Sequence, residues 1–186
     1  MSGIEDKRPT LRMKWEVLDK NGGGTRALVF TSVKSKHLSP AASRPVNAIG
    51  VGDELRLVLQ SDMDGYLHFF DFGTSGAVTK IFPSAQLSQV DNRIEAGRTY
   101  SAPGELLRFH FTVSGPTTAE SGRKERLLVV VTRRQMDLSL AAVESAGAAF
   151  ATRGGFASVD EAVATLTDLP EDEWTYGLLE TEVNRG

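Results

Sequence analysis

The sequence predicts a mainly β chain: an antiparallel β-sandwich of roughly seven to nine strands with two short C-terminal helices. Three observations carry this expectation. Alternating apolar and polar residues recur in short runs, Gly- and Pro-rich turns separate the runs, and the character changes to alanine-rich from Asp137 onward. At 186 residues, 40% of them hydrophobic, the chain is long enough for one core and too apolar for disorder throughout. The expected organisation is a single domain over 1–186. A β core at 11–134 is followed by a helical extension at 135–186, with a last strand able to return to the sheet.

Each element has its own signal. LRMKWEV places Leu11, Met13, Trp15 and Val17 on one face and Arg12, Lys14 and Glu16 on the other, the pattern of a half-buried strand. Gly22, Gly23 and Gly24 break it, and ALVFTSV resumes it as a hairpin would. The two prolines of SKHLSPAASRPVNAIG predict a long connection or edge segment. GDELRLVLQS alternates again, and a turn at DMDG leads into YLHFFDF, apolar on both faces as a central strand is. GTSG and AVTKIFP complete a predicted β-meander. ELLRFHFTV puts Leu107, Phe109 and Phe111 on one face and His110 on the other, and RLLVVVT reads as a buried strand. From Asp137 to Gly155 a first helix is expected, and Ser158 with Glu161 forms a capping box for a second. After Pro170, WTYGLLETEV alternates as a final strand.

Composition narrows the function classes. Lys and Arg number 21 against 24 for Asp and Glu, so no overall attraction for nucleic acid or anionic lipid is expected, although Lys34, Lys36, Arg133 and Arg134 form two local basic pairs. The absence of cysteine removes disulfides, thiolate catalysis and Cys-ligated metals. No stretch approaches the length of a membrane span and the charged N-terminus lacks a leader pattern, so a cytoplasmic location is expected, with export the alternative should a leader precede this sequence.

Chemistry-bearing motifs are few. His37, His68 and His110 are the candidates for imidazole chemistry. His68 shares a strand face with Tyr66 and Phe70, and it meets His110 only if their strands are neighbours. No third ligand or nucleophile stands at a defined spacing from them, so neither a catalytic nor a metal site is assigned. DMDG resembles a calcium loop only in part, because Gln60 takes the first-ligand position and Asp71 the last. It is read instead as a hairpin turn, with Gly65 at positive φ. NGGGTR lacks the P-loop ending, no G-x-S-x-G elbow occurs, and Glu171, Asp172 and Glu173 form a solvated run.

The succession GDELRLVLQS, DGYLHFFDF, GAVTKIFPS, NRIEAGRTYSAPG and ERLLVVVT, from about Val51 to Thr132, resembles a bacterial family of domains of unknown function. Gly52-Asp53, Tyr66-Leu67, Gly76 with Val78, Phe82-Pro83, and Ile94 with Ala96-Gly97 carry the likeness. Each is also a turn, core or strand-ending residue, so they mark a fold and assign no site. The resemblance implies an accessory β-sandwich of the kind attached to serine/threonine kinases, caspase-like peptidases and lipoproteins. A copy without such an attachment is expected to find its partners non-covalently.

The expected function is therefore non-catalytic recognition of a protein or ligand in a bacterial signalling, secretion or defence assembly. Tyr66, His68, Phe70, His110, Phe150 and Trp174 are the candidate binding residues. No cofactor is expected, and the expected partner is a protein, a second copy of the chain included. Two rival classes stay open: a hydrolase or metal-dependent enzyme using His68 and His110, and a self-associating structural subunit.

Overall fold

The computed structural model describes residues 9–18, 25–27, 31–34, 46–50, 52–72, 78–83, 90–106, 111–112, 124–138, 163–164 and 166–184. Within them run twelve strands: β1 (Thr10–Leu18), β2 (Thr25–Ala27), β3 (Thr31–Lys34), β4 (Val46–Gly50), β5 (Glu54–Ser61) and β6 (Gly65–Phe72), then β7 (Val78–Phe82), β8 (Arg93–Ile94), β9 (Thr99–Ala102), β10 (Phe111–Thr112), β11 (Lys124–Thr132) and β12 (Trp174–Asn184). Nine of them have four residues or more, within the expected number; β2, β8 and β10 are short pieces along strand edges.

The strands form two sheets. In sheet A, β1 and β5 pair along their whole length, with β2 and β3 on the outer edge of β1 and with β9 and β10 on β5. In sheet B the order is β4-β12-β11-β6-β7, with β8 also on β6. All pairings are antiparallel except that of β12 with β4. The strand expected to return after Pro170 is β12, and it lies inside sheet B.

The alternation seen in the sequence decides what lies between the sheets. Leu11, Met13 and Trp15 of β1 and Leu55, Leu57 and Leu59 of β5 share one buried core with Leu67 and Phe69 of β6, Val129 and Val131 of β11 and Leu179 of β12. Each such side chain contributes about 1.5–3 kcal/mol by leaving water. Sheet A turns a charged face outward, where Glu16 takes hydrogen bonds from Arg56 and an ion pair from Lys14 at 2.7 Å. Burial pushes the Glu16 carboxyl up, but the two cations outweigh it and hold its pKa below the usual carboxylate value.

The predicted β-meander does not occur at DMDG. β5 and β6 lie in different sheets, so the turn is a corner between layers. Its residues are fixed by backbone amides: Thr10 N–H donates to Asp62 Oδ1 (2.6 Å), Met63 N–H to Ser61 Oγ (3.0 Å) and Ala96 N–H to Asp64 Oδ1 (2.7 Å), while Met63 itself enters the core. The expectation of a positive φ at Gly65 fails as well; among the described residues the glycines with positive φ are Gly52, Gly97 and Gly104. Gly65 serves close approach instead. A Cβ there would stand 2.5 Å from the Thr132 carbonyl oxygen and 2.9 Å from Val131 Cγ1.

The two C-terminal helices are not seen among the described residues. The stretch expected to form the first lies outside them beyond Leu138, as does the Ser158–Glu161 capping box. Of the second, Val163, Ala164 and Leu166 are helical, and Thr167 N–H closes the turn onto the Val163 carbonyl at 3.1 Å.

Candidate functional site

Sheet B is apolar on both faces, and its outer face brings the candidate residues together. Along β6 the even positions Tyr66, His68, Phe70 and Phe72 point away from the inter-sheet core, because Leu67 and Phe69 fill it. The register then sets the rows. Tyr66 lies opposite Thr132, which lies opposite Trp174; His68, Val130 and Tyr176 form the next row, and Phe70, Leu128 and Leu178 the next. Trp174 and Tyr176 stack with ring centroids 5.7 Å apart. Four of the six candidate residues, Tyr66, His68, Phe70 and Trp174, therefore share one face. His110 and Phe150 lie outside the described residues.

This face is covered. Leu138 and Leu166 complete a second buried cluster with Phe70, Phe72, Leu128, Val130, Trp174 and Tyr176, and Met136, Val163 and Leu169 pack against it. Lys80, beside Phe70 on β7, holds the start of the cover through an ion pair to Asp137 at 3.1 Å. At the other end Arg133 donates to the Asp172 carbonyl (3.1 Å) and Arg134 to Glu173 (2.7 Å), which assigns one of the two basic pairs to anchoring the entry of β12.

His68 has no exposed surface. Its Nε2 stands 3.3 Å from Thr132 Oγ1, and that hydroxyl spends its one hydrogen on the Arg134 carbonyl at 2.8 Å. Thr132 is thus the acceptor, and the imidazole carries its proton on Nε2. Nδ1 is left as a bare acceptor with no partner. Burial drives the pKa of His68 down to about 3, with Lys80 adding to the shift and Asp137 opposing it. Trp174 Nε1 and Tyr176 Oη are likewise buried without a hydrogen-bond partner, and burial raises the Tyr176 pKa.

Whether His68 meets His110 falls outside the described residues. β10, the strand piece that follows His110, pairs with β5 in sheet A, and its Phe111 packs into the inter-sheet core 5.2 Å from Trp15. Among the described residues no group of three or more His, Asp or Glu side chains is placed to hold a metal ion. Sequence reading passed over Tyr176 and Thr132, although the alternation of WTY already sets Trp174 and Tyr176 on one side of a strand.

Among the described residues no helix is long and apolar enough to cross a membrane. No curated protein and no solved structure matches the chain. A family match does exist, and it runs from the end of β4 through β11, including all of β6 and its share of the outer face. Residues 49–135 match the model of the family described as domain of unknown function DUF4384.

Proposed function

We propose that the chain is a non-catalytic recognition module, an accessory β-sandwich that binds a protein partner within a cytoplasmic bacterial signalling, secretion or defence assembly. The observation that carries this reading is the gathering of Tyr66, His68, Phe70 and Trp174 on one face around an imidazole closed off from chemistry. A general acid or base works with a pKa near the working pH and within reach of substrate. His68 has neither property, since burial holds it near 3 and its one N–H serves Thr132. Aromatic clusters, by contrast, are what protein recognition uses as anchors. The placement within an assembly rests on the family resemblance.

A photo-reactive phenylalanine analogue at half-buried Tyr66, introduced in living cells, tests the reading. It is expected to give one discrete protein adduct that persists in His68→Gln, while the same analogue at exposed Thr112 on sheet A gives none. Identical adducts at both positions overturn the reading. So does a hydrolytic or metal-dependent activity that His68→Gln abolishes with the fold unchanged.

A further inference from the structure

Three hydrogen-bonding atoms are buried without partners on one face of sheet B: His68 Nδ1, Trp174 Nε1 and Tyr176 Oη. They belong to two adjoining rows, His68–Val130–Tyr176 and Thr132–Trp174. Leaving such a group unmet in a dry surrounding forfeits its solvation with nothing in return, and folded proteins keep few of them. Among the described residues, what packs against this face is Met136, Leu138, Val163, Leu166 and Leu169, whose side chains offer no oxygen or nitrogen. The cover supplies apolar contact and answers none of the three polar atoms.

We propose that this face is a closed binding site for an uncharged peptide segment, whose backbone amides take up the three unmet atoms, and that Met136, Leu138, Val163, Leu166 and Leu169 belong to the cover it displaces. The inference rests on the recognition reading and adds to it the chemistry of the ligand. Polarity sets the class. Because His68 donates from Nε2, its Nδ1 requires an N–H or O–H; the Trp174 indole N–H requires an acceptor; Tyr176 takes either. A peptide group offers one N–H and one C=O, and the flanking Phe70 and Leu128 suit its apolar side chains. Charge argues the same way. His68 is neutral, Lys80 is matched by Asp137, and a dry site without net charge rejects an ion. The Lys80–Asp137 pair is the latch that keeps the cover down.

The probe is N-acetylglycine N-methylamide, titrated into the full chain and followed by NMR at the indole N–H of Trp174, identified by its loss in Trp174→Phe. A saturable shift at Trp174 and at the His68 imidazole nitrogens, with Trp15 unmoved, is the expected result. In Lys80→Met the latch is gone and binding tightens several-fold. The proposal is overturned by silence at Trp174 in both proteins, by an equal shift at Trp15, by an equal response to acetate, or by ordered water alone at the indole. Failure here with a Tyr66 adduct intact removes the peptide site and leaves the recognition reading. Binding here without any adduct does the reverse.

Discussion

Acidification should weaken this fold through His68, and the size of the effect follows from its burial. In the unfolded chain the imidazole titrates at about 6.5, whereas in the native chain it stays neutral down to about 3. The folded pKa is depressed, so the unfolded state binds the proton first, and stability falls as pH drops below the unfolded value. At 1.36 kcal/mol per unit, the loss is about 1.4 kcal/mol at pH 5.5 and about 3 kcal/mol at pH 4. Carboxylates titrate over the same range, so the comparison must be between the native chain and His68→Gln, which keeps a donor for Thr132 and carries no titrating group. Urea unfolding followed by circular dichroism at pH 7, 5.5 and 4 supplies the two series. The native chain is expected to lose about 3 kcal/mol more than the variant between pH 7 and 4. Two parallel curves refute the reasoning, because they mean that the imidazole is hydrated or charged in the folded protein.

Gly65→Ala should destabilise the fold by about 1–3 kcal/mol in denaturant melts, since the new Cβ would press on the Thr132 carbonyl oxygen, a backbone atom held in the β6–β11 ladder. Asp64→Ala should cost about 1 kcal/mol by freeing the Ala96 amide, and calcium should leave the melting temperature of the native chain unchanged, because Asp62 and Asp64 already serve Thr10 and Ala96; a saturable upward shift lost in Asp64→Ala would contradict this. Deleting everything after Arg134 strips Leu138, Leu166 and β12 from sheet B, so the truncated chain should aggregate in size-exclusion and light-scattering measurements; a soluble monomer of equal stability would show that the sheet does not need them.

Period-two alternation made most strands legible, because a strand that buries one face writes that face into its own residues. β1 and β5 are of this kind, β6 and β11 announce their double burial through YLHFFDF and LLVVV, and β12 alternates in sequence yet is buried on both sides from Trp174 to Tyr176. Sheet membership was not legible. A hairpin and a corner between layers use the same Asp-Gly signal, and the difference lies in what the loop meets: Thr10, Ala96 and Thr132 are all remote in sequence from Asp62–Gly65. The site was half legible for the same reason. Tyr66, His68 and Phe70 share a face by local geometry alone, but the dryness of His68 depends on Leu138 and Leu166, and its tautomer on Thr132 and Arg134.

The family match and the folded unit do not coincide, and the difference bears on where function sits. Residues 49–135 include β5, β6 and β11, the strands that meet β1 in sheet A and β12 in sheet B. β1 lies outside the match, yet it brings Leu11, Met13 and Trp15 to the inter-sheet core. β12 also lies outside it and brings Leu179 to that core and Trp174 and Tyr176 to the outer face. Gly177 fits the two together: a Cβ there would run into the Met13 side chain, so β12 and β1, both outside the match, meet closely across the sheets at this point. The matched stretch therefore supplies His68 and the scaffold beneath it. Two of the three unmet polar atoms of the outer face come from β12, and Met136, Leu138, Val163, Leu166 and Leu169 pack on that face, so the proposed recognition surface is built largely by residues outside the matched stretch.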